Sequence, residues 1–123
     1  MTPLRVKRIY EPPHAGDGTR ILVDRLWPRG IAKDKAAIDL WLKDIAPSDA
    51  LRKRFHGKPD DWDAFRAAYF AELQGAAAQA AARELDDRLQ HGPVTLLYAA
   101  RNERQNNAVA LKEWLERHNS KHT

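Results

Sequence analysis

The sequence predicts an α/β domain of two or three layers, with a mostly parallel sheet of about four strands flanked by helices. Two observations carry that prediction. Arg20-Ile21-Leu22-Val23-Asp24 and Val94-Thr95-Leu96-Leu97-Tyr98-Ala99-Ala100 are short β-rich runs with apolar side chains at successive positions, the pattern of strands covered on both faces. Between them lie stretches with helical rather than alternating spacing, as expected when helices connect parallel strands. The 123 residues contain no internal repeat and no long linker, so residues 1–123 read as one domain.

Leu4 to Tyr10 has strand composition, with Leu4, Val6, Arg8 and Tyr10 on one face; its many charges suit an edge strand. Pro12-Pro13 and Gly16-Asp17-Gly18 mark a turn before the first buried strand. Ile38 to Lys43 fits either period: Ile38, Leu40 and Leu42 alternate, while Ile38, Trp41, Leu42 and Ile45 have helical spacing. A strand is the preferred reading. Pro47 ends that segment, and Ser48 is placed to cap a short helix through about Phe55. Trp62, Phe65, Tyr69 and Leu73 mark an amphipathic helix opened by Asp60 and Asp61. Gly75 divides it from an alanine-rich helix carrying Leu85 and Leu89, which stops at Gly92-Pro93. After the last strand, Asn102-Glu103-Arg104-Gln105 reads as a capping box opening a final helix, with Ala108, Leu111, Leu115 and His118 on one stripe.

Composition narrows the chemistry. The net charge of +4 is uneven: +4 over residues 1–35, −2 over 36–93 and +2 over 94–123. Bringing the two ends of the chain together would create a positive field suited to an anionic partner. There is no cysteine, hence no disulfide, thiolate metal site or cysteine nucleophile. The N-terminus lacks a signal-peptide pattern and no apolar run could span a bilayer, so a cytoplasmic location and no membrane partner are expected. His14, His56, His91, His118 and His122 show no metal-ligand spacing, no metal is expected, and no cofactor motif is present.

In open α/β sheets, ligands bind beyond the carboxyl ends of strands. Two such ends stand out. After Val23 comes Asp24-Arg25-Leu26-Trp27-Pro28-Arg29-Gly30: Trp27-Pro28 imposes extended backbone and Gly30 permits a sharp bend. Arg25 and Arg29 offer forked donors to phosphate or carboxylate, and Trp27 offers a stacking face. The competing reading has Trp27 filling the core and Arg25 paired with Asp24 or another acid. The second end follows Tyr98, where Arg101 and Asn102 precede a helix N-terminus able to receive an anion. Asp17, Asp24 and Asp39 could supply a carboxylate pair, with Asp24 as candidate base.

Val23-Asp24-Arg25-Leu26-Trp27-Pro28-Arg29-Gly30, Ala46-Pro47-Ser48 and Thr95-Leu96-Leu97-Tyr98-Ala99-Ala100-Arg101, with Asn106 downstream, resemble the YeaO-like branch of domain of unknown function 488. The resemblance covers nearly the whole chain. It implies a compact α/β domain of a bacterial cytoplasm and supplies no activity. Related branches place cysteine-containing residues after the last strand; Tyr98 and Arg101-Asn102 occupy that region here, so no thiol-dependent role is implied.

The leading expectation is a site for an anionic small molecule. Arg25, Arg29, Arg101 and Asn102 would hold the anion, and Trp27 or Tyr98 would stack. One alternative uses the same basic surface against nucleic acid, permitted by a pI of 9.6 but supported by no motif. The other is a non-catalytic interaction module. The pocket exists only if the strands ending at Val23 and Tyr98 are neighbours.

Overall fold

The computed structural model describes residues 4–55 and 59–120. Four strands, β1 (Leu4–Arg8), β2 (Thr19–Leu22), β3 (Leu40–Trp41) and β4 (Val94–Tyr98), form one sheet in the order β1-β4-β2-β3, with every pair parallel. The last strand of the chain is therefore central. Leu4 pairs with Val94 and Arg8 with Tyr98 on one side of it, and Thr19 pairs with Val94 and Leu22 with Leu97 on the other. All five residues of β4 are buried, as its unbroken β-rich composition requires. The segment from Ile38 does become a strand, but only Leu40 and Trp41 pair, with Ile21 and Leu22.

The helices are α1 (Lys33–Ala36), α2 (Asp49–Phe55), α3 (Trp62–Glu72), α4 (Ala76–His91) and α5 (Asn107–Ser120). Strand alternation divides the core. Ile21, Val23, Leu96 and Tyr98 face a large cluster with Tyr69 and Leu73 of the α3 region, Ala81, Ala82 and Leu85 of α4, and Ala108, Leu111 and Leu115 of α5. Leu22 and Leu97 point the other way, into a small cluster with Ile9, Ala36, Trp27, Ile38 and Trp41. One face is thus covered by helices and the other mainly by the long loop after β2. Ile21, Leu22, Leu96 and Leu97 are fully excluded from solvent, each contributing about 1.5–3 kcal/mol of burial.

Local signals explain most boundaries. Ser48 Oγ accepts the amide of Leu51 at 3.1 Å, capping α2, while Glu72 at the end of α3 accepts from both the Ser48 amide and its hydroxyl. Gly75 is the N-cap of α4 and Gly92 its C-cap. The capping box expected at Asn102 is absent. Asn102 Oδ1 instead accepts the amides of Arg104 and Gln105 in a tight turn, and α5 starts five residues later, where Asn106 Oδ1 accepts the Val109 amide at 2.9 Å. Asn106 wins because it is buried, where an uncapped amide would be costly, whereas Asn102 is exposed. His118 lies in α5, but its side chain is outside the described residues, as are His56 and His122.

The amino end of the sheet is held by a buried polar network. Arg20, 4% exposed, donates to the Asp17 carboxylate and to the carbonyls of Ala36 and Ala37. Burial pushes the Asp17 carboxyl up, yet the His14 amide with the Lys7 and Arg20 side chains outweighs this and holds it below the ordinary carboxylate range. Asp39 accepts the Arg20 amide at 2.8 Å. Gly18 lies beside this network with φ of +67°, and a Cβ there would sit 2.2 Å from the Pro93 carbonyl oxygen.

Candidate functional site

The register makes the ends of β2 and β4 neighbours, and the Val23 amide continues the ladder by donating to the Leu97 carbonyl at 3.1 Å. Asp24 follows at once and joins four segments. Its Oδ2 accepts the Ala99 amide at 2.9 Å and its Oδ1 accepts Asn107 Nδ2 at 2.9 Å. The same Asn107 amide donates to the Val23 carbonyl at 3.0 Å, and the Asp24 carbonyl accepts Trp41 Nε1 at 2.7 Å. Burial pushes the Asp24 carboxyl above the ordinary range, against the opposing bonds from Asn107 and Ala99 and the positive charge of Arg52.

Asp24 therefore does not orient Arg25, as the paired reading expected. Arg25 donates from Nε to the Pro47 carbonyl at 3.1 Å and from NH2 to the Ala46 carbonyl at 3.0 Å. It fastens the turn to the segment before α2 through backbone oxygens and forms no ion pair among the described residues. Nor do Asp17 and Asp39 pair with Asp24: both contact Arg20 near the start of β2, at the opposite end of the strand. Trp27 is half-buried, donates to the Ile31 carbonyl at 2.9 Å, meets Trp41 edge-on at 5.4 Å, and lines the opening beyond the strand ends.

Beyond these strand ends lies an open cleft of about 1150 Å³. Among the described residues its cationic lining comes from Arg8, Arg25, Arg29, Arg52 and Arg101, and Asp24 is the sole acid lining it. Arg8 is tied to the carbonyls of Ala99 and Ala100, and Arg52 pairs with Asp49. Arg29 and Arg101 are exposed, and neither side chain has a hydrogen-bond or ion-pair partner among the described residues. Asn102 lines the cleft but spends its Oδ1 on the turn.

Tyr98 does not reach the cleft. Only 3% exposed, it packs in the large core, because alternation along β4 turns it toward the helices. A stacking role for it is ruled out on that ground. Burial pushes its phenol up, with Glu103 and Glu11 adding to the effect and Arg8 and Asn106 opposing it.

Several lining residues escape sequence reasoning. Arg8 and Tyr10 arrive because β1 lies beside β4; Phe55, Trp62 and Phe65 arrive from the end of α2 and from α3. Their spacing reads only as a helix's core face. Asn107 is half-buried and holds Asp24. Among the described residues no cluster of His, Asp or Glu could hold a metal ion, and no helix is long and apolar enough to cross a membrane.

The molecule is thus a parallel α/β domain with an arginine-lined cleft at the carboxyl ends of its central strands. Residues 3–123 match the family described as the inactive DUF488-N3 subclade, DUF488-N3i, and the chain belongs to that family. It is 49% identical to the uncharacterised protein YeaO of Escherichia coli over 112 residues, covering 91% of this chain and 96% of the relative. Uncharacterised proteins of Mycobacterium bovis and Mycobacterium tuberculosis are each 42% identical over 114 residues, covering 93% of this chain and 94% of theirs. No solved structure matches the chain.

Proposed function

We propose that the cleft binds an anionic small molecule, through a phosphate or carboxylate group, and does not transform it. The carrying observation is the lining among the described residues: five arginines and one carboxylate whose two oxygens each accept a donor inside the protein. A guanidinium with open donors at a strand end is suited to a forked contact with an oxyanion. Covalent or acid–base catalysis needs a free nucleophile or base at the ligand. Among the described residues the lining includes no serine, threonine, lysine or histidine, and the Tyr10 hydroxyl donates to the Arg29 carbonyl at 2.7 Å. The word inactive in the family description agrees with a binding role.

Calorimetric titration with sugar phosphates, nucleotides and dicarboxylates tests this. Arg29→Ala and Arg101→Ala should each weaken binding roughly ten-fold or more while leaving the melting temperature unchanged, since a charge-assisted hydrogen bond contributes about 1.5–3 kcal/mol. Unchanged affinity in the double variant, or no binding by any of these anions, refutes the proposal. Tight binding of an oligonucleotide alone, weakening steeply with salt, would favour the nucleic-acid reading instead.

A further inference from the structure

The cleft has a second chemical character that anion binding leaves unused. Phe55, Trp62 and Phe65 line it as partly exposed rings. Trp62 stacks on Phe65 with centroids 5.6 Å apart and planes 16° apart, and Phe55 meets Phe65 edge-on at 5.8 Å. Phe65 in turn leans on buried Tyr69, which anchors the group to the core. Trp62 is thus backed on one face by an anchored ring, and no other ring or cation among the described residues packs on it. Most of the cationic lining comes from other elements: Arg8 from β1, Arg29 from the loop after β2, and Arg101 from the loop after β4. Leu26, 57% exposed, lines the same cleft, an apolar side chain left in water beside charged ones.

We infer that the occupant is a nucleotide, its base stacked on Trp62 and its phosphate held by the strand-end arginines. This rests on the anion-binding reading and adds the ring. Anion recognition alone needs no partly exposed, backed indole, and an apolar ligand alone would leave the open donors of Arg29 and Arg101 facing it unpaired. A flat ring joined to a phosphate satisfies both walls, and the cleft volume is large enough for a mononucleotide. Stacking on an aromatic side chain is sequence-tolerant, so the base can be purine or pyrimidine.

The test compares adenosine and uridine 5′-monophosphates with ribose 5-phosphate and inorganic pyrophosphate by calorimetry, on the wild-type chain, Trp62→Leu and Trp62→Phe. Base stacking predicts at least about ten-fold tighter binding of the nucleotides than of ribose 5-phosphate. Trp62→Leu should erase that advantage, leave ribose 5-phosphate affinity unchanged, and be rescued by Trp62→Phe. Should Trp62→Leu melt early, Phe55→Leu at the rim of the same ring group supplies the comparison, with a smaller loss expected. Equal affinity for nucleotide and ribose 5-phosphate in the wild type overturns the ring subsite while leaving anion binding intact. Failure of every anion to bind overturns both, and binding of a single-stranded oligonucleotide without any mononucleotide overturns the small-molecule occupant.

Discussion

Asp24→Asn is close to isosteric and asks whether this carboxylate supports the fold or is held against it. As a carboxylate, Asp24 accepts two separate donors, the Ala99 amide and Asn107 Nδ2. An asparagine offers one acceptor and one NH2, so in either orientation one of those donors faces another donor. Leaving a buried donor unsatisfied costs about 1–3 kcal/mol. Against this, the neutral side chain escapes the burial penalty that raises the Asp24 carboxyl. The bond loss should win, for a net destabilisation of about 1–2 kcal/mol at pH 7, or roughly 3–8 °C in Tm for a domain of this size.

The pH dependence carries a second signature. An acid whose folded value is raised contributes most stability below its unfolded value, and that contribution falls as pH rises through the folded value. Asp24→Asn lacks this term, so the gap between wild type and variant should widen as pH is lowered from 7 toward 4. Urea unfolding followed by circular dichroism measures both, given an unchanged m-value. A variant as stable as wild type at pH 7 would refute the reasoning and mark Asp24 as a charge maintained at the expense of stability.

Gly18→Ala combines a positive φ with a 2.2 Å approach to the Pro93 carbonyl oxygen and should destabilise by about 2–4 kcal/mol in thermal melts; a loss under about 0.5 kcal/mol would mean that the contact relaxes freely. Asp17 is held below the ordinary range, so its stabilisation is present above pH 3.8 and lost as pH falls through the lower folded value. Asp17→Asn should accordingly cost about 3–5 kcal/mol at neutral pH by stranding buried Arg20, and should flatten the acid limb of the stability profile; an unchanged acid limb would count against it.

The parallel sheet was legible because Ile21-Leu22-Val23 and Leu96-Leu97 are apolar at successive positions within short β-rich runs, as in a doubly covered strand. The ends of α3 and α4 were legible from Gly75 and Gly92. The start of α5 was misread because Asn102 and Asn106 carry the same capping side chain, and only burial, which is set by tertiary packing, chooses between them. The same limit applies at the site. Sequence brought Asp24 and Arg25 to the right strand end, yet their partners, Asn107 and the carbonyls of Ala46 and Pro47, lie 83, 21 and 22 residues away. Backbone carbonyls carry no residue-type signal at all, so an arginine bound to them looks identical in sequence to one awaiting a ligand. The aromatic wall was hidden for a related reason, since a ring at helical spacing reads as core whether or not one side is open.

The placement of β4 between β1 and β2 has a consequence for how the chain is made. Leu4 and Val94 are partners separated by 90 residues, and β1 and β2 do not pair with each other. Until the ribosome has added Tyr98, β1 has no strand to join, β2 has only its short pairing with β3, and the helices have no complete sheet to cover. Contacts so distant in sequence slow folding, because loop closure precedes the stabilisation it permits. Synthesis of the last quarter of the chain therefore sets when the protein can fold, and Ile21, Leu22 and Val23 stay exposed to chaperones or to aggregation until then.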